Sequence, residues 1–360
     1  MYKYILEPRK AKELHAGTKA REDINLFLGN SQYRPILFDI NDSKKFVVKL
    51  KNYALCMLNL EIILSRIESD SIVLIQYPYF FNPVVIDFII KKLSRKGVKL
   101  VALIHDIEAL RFTREEQYIK EEIDCLNRFH YVISHNPAMT KWLLDHGLKN
   151  SICDLELFDY GVKSMERTEA SAEADRPRSV VFAGNLSPNK SKFLYKISDD
   201  MLKGVCFNLY GIEYDEANIC CKSMFHKGKF EPDELPYRME GDFGLIWDGL
   251  EAETCSGHYG QYMRFNNPHK LSLYMAAGLP VITWKNAAIS DFVTKNKVGI
   301  VVDSLTEIGD AIAEIDTDQY LSIKENVKDF QKKVTSGHYI QSAVRKIEES
   351  FMNEGKNNAI

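Results

Sequence analysis

Short runs of β-branched and aromatic residues alternate along the chain with longer segments of helical period. In the first half, YRPILFDI (33–40), SIVLIQYP (71–78), VKLVALIHD (98–106) and YVISHN (131–136) have the length and continuity of buried strands. Between them, VKLKNYALCMLNLEIILSRI (48–67), PVVIDFIIKKLSRKG (83–97) and EEQYIKEEIDCLNRF (115–129) predict helices. Strands that are apolar throughout are covered on both faces, so the spacing predicts a parallel sheet between helical layers. Residues 164–179, SMERTEASAEADRPRS, are polar and poor in large apolar groups and predict a linker. Beyond them the alternation restarts with SVVFAGN (179–185), CFNLYG (206–211), FGLIWDG (243–249), a helix within 265–278, LPVITW (279–284) and GIVV (299–302). The fold class this predicts is α/β, with two Rossmann-like domains facing each other across a cleft. They are expected at 1–163 and 180–337, and a last helix near 338–352 is expected to pack back on the first domain.

Length agrees with two domains, since 360 residues exceed what one hydrophobic core comfortably holds. Residues 1–163 carry 24 Lys+Arg against 21 Asp+Glu, and residues 164–360 carry 23 against 29. Neither imbalance is large enough to imply a nucleic-acid partner. Seven scattered cysteines without a C-x-x-C pair read as reduced thiols of a cytoplasmic protein, not as a disulfide frame or a zinc site. The N-terminal MYKYILEPRKAKELHAG lacks the apolar core of a signal peptide. The most apolar segment, residues 72–90, is broken by Gln76, Pro78, Asn82, Pro83 and Asp87 and fits a strand, loop and helix better than a membrane span.

In an open α/β sheet, ligands bind outside the carboxyl ends of the strands. Those ends carry Tyr77-Pro78, His105-Asp106, His135-Asn136, Gly184-Asn185, Tyr210-Gly211, Trp247-Asp248-Gly249 and Trp284. Each alone reads equally as a turn or a cap; the recurrence of glycine, polar and aromatic residues is what marks the set. The stretch FNNPHKLSLYMAAGLPVITW (265–284) adds a helix whose start is polar and cationic. A helix N-terminus offers free N–H groups and partial positive charge, so with His269 and Lys270 it would seat a diphosphate. On those residues alone, a solvated cap ahead of a core helix stays open as well.

The same stretch resembles the C-terminal signature of GT-B nucleotide-sugar glycosyltransferases. Together with GTKAREDI (17–24), IHDIEALR (104–111), FAGNLSPNKSKFL (182–194), LYG (209–211), HKGKFEPDELP (226–236) and YGQYMRFNNPHK (259–270), the chain is similar to bacterial β-1,6-galactofuranosyltransferases. It is also similar to the glucosyltransferase that extends GlcNAc on serine-rich adhesins. The resemblance runs in order from about residue 15 to about residue 310. It implies a UDP-sugar donor held mainly by the second domain, as a substrate and not a cofactor. Asn185 and Lys190 would approach the nucleotide or its phosphates, and Tyr210-Gly211 with Gly228-Lys229 would line the uracil slot. Asn266, Asn267, His269, Lys270, Leu271 and Ser272 would bind ribose and diphosphate. Many retaining members carry a Glu where this chain has Leu273, so ribose must be held differently here. The segment DFGLIWDG (242–249) does not supply the D-x-D spacing of the metal-dependent transferases, and no metal is expected.

An inverting transfer needs a base for the acceptor hydroxyl. Asp106 is the first candidate, Glu108 the second and His105 the third; a capping role for His105-Asp106 and a Glu108–Arg111 pair form the competing reading. Gly17, Thr18 and Lys19 are expected in a flexible loop near the first strand's end, meeting donor sugar or acceptor. Tyr79, Phe80 and Phe81 read as an acceptor platform or as core. The expected activity is transfer of galactofuranose, glucose or galactose from a UDP-sugar to a saccharide on a lipid or protein carrier. A UDP-sugar 2-epimerase of the same architecture and a non-catalytic partner subunit are the alternatives. KKFVVKLK (44–51) would either rest on anionic lipid at the inner face of the membrane or form a solvated helix face, and a homo-oligomer is compatible with the sequence.

Overall fold

A computed structural model describes residues 1–9, 16–39, 46–78, 83–113, 115–163 and 179–357. Residues 164–178 of the expected linker, the aromatic trio Tyr79, Phe80 and Phe81, and Lys44 and Lys45 lie outside the described residues. The chain divides into two compact units, Met1–Leu155 joined by the segment from Ile340 onward, and Glu156–Tyr339.

The first unit is a six-stranded parallel sheet with strands β1 (Lys3–Arg9), β2 (Arg34–Asp39), β3 (Ile72–Tyr77), β4 (Lys99–Ile104), β5 (Tyr131–Ser134) and β6 (Ser151–Asp154). Their spatial order is β2-β1-β3-β4-β5-β6. Helices α1 (Ala16–Asn30), α2 (Phe46–Ser65), α3 (Pro83–Arg95), α4 (Glu116–Leu126) and α5 (Pro137–Asp145) make the crossovers. Every residue of β3 is buried, as expected of a strand covered on both faces. The order reverses between β1 and β3, which makes the carboxyl ends of those two strands the place where a crevice opens. The last helix, α13 (His338–Asn357), belongs mostly to this unit and buries Ile340, Ala343, Val344, Ile347 and Phe351 on one face. Glu348 fastens it to β1 through Lys3 at 2.6 Å, and Tyr33 OH donates to the same carboxylate at 3.1 Å.

Gly17, Thr18 and Lys19 do not form a loop. They sit in the first turns of α1, because Ala20, Ile24, Phe27 and Leu28 at helical spacing bury one face of that segment and carry the helix back to Ala16. Lys19 is itself buried and paired with Asp23, one turn on.

The second unit repeats the plan with β7 (Ser179–Asn185), β8 (Cys206–Ile212), β9 (Met224–Gly228), β10 (Phe243–Ile246), β11 (Val281–Trp284) and β12 (Gly299–Val302), ordered β12-β11-β10-β7-β8-β9. Its reversal falls between β7 and β10. The helices are α6 (Asp199–Leu202), α7 (Leu235–Arg238), α8 (Gly257–Tyr262), α9 (His269–Ala276), α10 (Ser290–Asn296), α11 (Ile308–Ala313) and α12 (Thr317–Ser336). A capping box of Asp316 and Gln319 starts α12, and Gly337 at φ +79° ends it.

Helix α9 is clamped at the reversal by one side chain. The fully buried Tyr274 lays its ring where a Cβ on Gly244 of β10 would fall 2.3 Å away, and its hydroxyl accepts a 3.0 Å hydrogen bond from the Ala183 N–H of β7. Tyr274→Phe would leave that buried N–H unpaired. The expected loss of stability in urea denaturation is about 1–3 kcal/mol, and an unchanged midpoint would contradict the clamp.

His135, at the end of β5, is buried, and its Nε2 donates to Ile104 O of β4 at 3.1 Å. Burial pushes its imidazole down from 6.5 to about 4. The unfolded chain therefore takes up a proton between pH 6.5 and 4 that the folded chain refuses, so stability rises with pH in that window and is lost as pH falls through it. The loss attributable to this group by pH 4 is about 3 kcal/mol. His135→Gln should flatten the pH dependence of the melting temperature there; equal slopes for variant and wild type would contradict the assignment.

Candidate functional site

Two groups of polar side chains lie at the strand ends, one in each unit. In the second unit, the group gathers at the β7/β10 reversal. Lys270, in the first turn of α9, lies across Gly184 at the end of β7. A Cβ on that glycine would sit 3.4 Å from Lys270 Cε and 3.8 Å from Nζ. The ammonium is also 4.8 Å from the centroid of the Phe182 ring. Gly184 and Gly211 adopt φ of +155° and +149°, and a Cβ on Gly211 would lie 1.7 Å from Gly184 O. Two backbones thus approach at the ends of β7 and β8 as no side chain would permit. Helix α9 begins behind Pro268, which occupies the N-cap and offers no side-chain acceptor to the first turn.

Around this seat stand the other expected residues. Asn266 Oδ1 is buried and meets no hydrogen-bond donor among the described residues. His269 packs between Tyr160, with ring centroids 5.1 Å apart, and Phe158 at 6.0 Å. Asn185 turns its side chain to local work: its Oδ1 accepts from Ser187 N at 2.8 Å and its Nδ2 donates to Glu213 at 3.2 Å. Lys190 lies 3.6 Å from Asp248 at the end of β10 and 3.2 Å above the centre of the Tyr259 ring, a cation–π contact that holds its amine in one place. In the sequence Asp248 is marked only as a strand end, and Tyr259 only as the first residue of YGQYMRFNNPHK.

Four of the assigned residues have buried side chains. Asn267 is buried and its Nδ2 donates to Glu156 O at 2.7 Å, so that nitrogen tethers backbone. Leu271 and Ser272 are 0% and 1% exposed, and only their backbone could meet one. The Tyr210 ring is buried, with its hydroxyl donating to Arg238 O at 3.2 Å and accepting from Glu240 N at 2.9 Å; its neighbour Gly211 is what shapes the strand end. Gly228 pairs with Tyr210 across β8 and β9 at φ +94°, and Lys229 beyond it is exposed.

In the first unit, the ends of β3 and β4 carry a linked set. His105 Nε2 meets Gln76 Oε1 at 2.6 Å, and the Gln76 amide donates to Asn25 Oδ1 at 3.2 Å. Arg21 of α1 donates to Pro78 O at 2.6 Å and Gln76 O at 3.3 Å. Asp106 pairs with Arg111 at 2.5 Å, both about one-third exposed. The Glu108–Arg111 pair of the competing reading gives way to this one: the π-helical turn Ala109–Thr113 brings Arg111 back to Asp106. Glu108, exposed, gives its backbone N–H to Glu122 Oε1 at 3.0 Å.

Glu122 of α4 organises this end of the sheet and was not foreseen from the sequence. It is buried, receives the Tyr77 hydroxyl at 2.7 Å and the Ala109 N–H at 2.8 Å, and so ties the end of β3 to the turn after β4. Burial pushes its carboxyl up from the usual range, and the Tyr77 and backbone hydrogen bonds pull the other way. The signal was present: in EEQYIKEEIDCLNRF, Glu122 stands three residues after Ile119 and four before Leu126, on the apolar stripe. Asn136 caps α5 by accepting from Ala138 N at 2.9 Å and Met139 N at 3.0 Å.

Comparison with known proteins gives this arrangement a family. Residues 2–157 match the N-terminal domain and residues 180–347 the C-terminal domain of the family described as Glucosyltransferase 3-like. The chain is 36% identical over 253 residues to the β-1,6-galactofuranosyltransferase WbbI of Escherichia coli, covering 69% of this chain and 71% of that one. It is 24% identical over 280 residues to Glucosyltransferase 3 of Streptococcus parasanguinis, covering 77% and 78%. Among solved structures, sucrose-phosphate synthase of Thermosynechococcus elongatus aligns with a TM-score of 0.65 at 12% identity, over 98% of this chain and 100% of that one. Anabaena Alr3699/HepE in complex with UDP-glucose aligns at 0.61 and 13%, over 96% and 99%. At such identities these structures speak for the fold alone. The chain belongs to the Glucosyltransferase 3-like family and is a glycosyltransferase of GT-B fold.

Proposed function

We propose that the protein transfers a hexose from a UDP-sugar to a hydroxyl of a saccharide borne on a lipid or protein carrier, with inversion and without a metal. The observation that carries the donor side is Lys270 lying across Gly184 in the first turn of α9, at the reversal between β7 and β10. An ammonium, a helix start with no side-chain cap, and backbone left bare by two glycines suit a diphosphate. The relatives' names, a galactofuranosyltransferase and a glucosyltransferase, support a hexose as the transferred group. The complexes of Alr3699/HepE with UDP-glucose and UDP support the uridine donor.

In this reading the acceptor oxygen attacks the anomeric carbon as the bond from that carbon to the β-phosphate oxygen breaks. The leaving UDP takes the electron pair, and Lys270 with the α9 N–H groups stabilises its added charge. Asp106 accepts the proton of the acceptor hydroxyl. Arg111 fixes the orientation of the Asp106 carboxylate, and the Glu122 bonds to Glu108 N and Ala109 N hold the turn that carries both. Asn266 Oδ1 is available as an acceptor for a ribose hydroxyl, a task that Leu273 cannot perform.

Calorimetry and a turnover assay with UDP-galactofuranose and UDP-glucose test the two halves separately. Lys270→Ala should weaken UDP binding by about 10- to 100-fold, the range of a lost charge-assisted hydrogen bond, and lower turnover with it. Asp106→Asn should keep UDP affinity and lose about 100-fold or more in turnover, and EDTA should leave the wild type unaffected. Unchanged UDP affinity in Lys270→Ala would sink the diphosphate seat. A fully active Asp106→Asn would pass the base to Glu108.

A further inference from the structure

The turn that carries Asp106 buries every apolar side chain but one. Ile107, Ala109 and Leu110 are 0%, 4% and 3% exposed and root the turn in the first unit's core. Phe112, within the π-helical turn Ala109–Thr113, is 46% exposed. A lone exposed ring on a protein surface is ordinary; what sets this one apart is its neighbours. The Arg111 guanidinium lies 5.0 Å from the ring centroid and is the same group that pairs with Asp106 at 2.5 Å. Carboxylate, guanidinium and aromatic ring are thus linked in that order, on the kind of helical irregularity that recurs at functional sites.

Glu108 is exposed as well, so the turn offers solvent two carboxylates, a guanidinium and half of an aromatic ring. A sugar ring matches that set on both counts. The hydroxyls at its rim can bond to carboxylates and guanidinium, and the electropositive C–H groups on its face meet the electronegative face of an aromatic ring. Other ligands match only in part. A phosphate or another anion would face two carboxylates against one guanidinium, and a purely apolar partner would take three charged groups out of water.

We infer that Phe112 is the platform on which the acceptor's sugar ring stacks, turning one hydroxyl toward Asp106 while Arg111 and Glu108 bond others at the rim. The inference rests on the transferase reading above, because Asp106 as the base is what makes the stacked sugar an acceptor. Saturation-transfer NMR on the full chain reads the stacking itself. The probes are the methyl glycosides of glucose, galactose and N-acetylglucosamine, with open-chain mannitol as control. Irradiation of the aromatic protons should saturate the ring C–H protons of at least one glycoside and leave mannitol untouched. Phe112→Ala should remove that transfer and Phe112→Trp should keep it. In transfer assays from UDP-galactofuranose and UDP-glucose to the same glycosides, Phe112→Ala should raise the acceptor KM about tenfold with kcat kept. Its UDP affinity by calorimetry should equal that of the wild type, which also shows the variant to be folded. Saturation transfer equal in wild type and Phe112→Ala, or seen with no glycoside, would overturn the inference. So would an acceptor KM that Phe112→Ala does not move in an enzyme that transfers hexose, and the transferase reading would then stand. A glycoside held through Phe112 by a protein that transfers no hexose would support the platform and count against the transferase reading.

Discussion

Everything at the second unit's strand ends depends on how closely α9 approaches the sheet, and that approach is set by Tyr274 against Gly244. The ring occupies the space that any side chain at position 244 would need, and its hydroxyl satisfies a β7 backbone donor. One turn earlier on the same helix stands Lys270, whose stem then falls on Gly184. A larger residue at position 244 would lift the helix and take the ammonium off the strand end with it. The basic group is held by a packed aromatic core; Lys190, by contrast, relies on Asp248 and Tyr259 near the surface.

The first unit solves its positioning problem with buried polar groups. A buried carboxylate is costly unless it is fully bonded, and Glu122 offsets that cost with the Tyr77 hydroxyl and two backbone N–H groups. Gln76 of β3 has a similar role, joining His105 to Asn25 of α1. Such networks hold a turn firmly only while every member is bonded, which makes the Asp106–Arg111 turn sensitive to residues that never touch a substrate.

The alternation of strands and helices was legible in the sequence because the buried strands are apolar throughout, as in β3 and β4. Strands β1, β6 and β9 were not foreseen; β6 is only the four residues SICD, none of them fully buried. KYILEPR ends in charged residues and proline, and MFHKG is short and mostly exposed. The seat for Lys270 was legible in kind, since a polar, cationic helix start followed by small residues has few uses. What could not be read was which neighbours face a ligand. Asn266 and Asn267 are adjacent and alike, yet the Nδ2 of Asn267 is spent on Glu156 O while Asn266 Oδ1 is left open. Likewise the Asp106–Arg111 pair could not be read, because it depends on a π-helical turn that the residues do not announce.

The central claim is that the start of α9 with Lys270 reads phosphate charge. Calorimetric titration of the wild-type protein with uridine, UMP and UDP isolates that contribution on one scaffold. Affinity should rise at each step, by about tenfold for every phosphate that gains a charge-assisted hydrogen bond. Uridine binding as tightly as UDP would contradict the account.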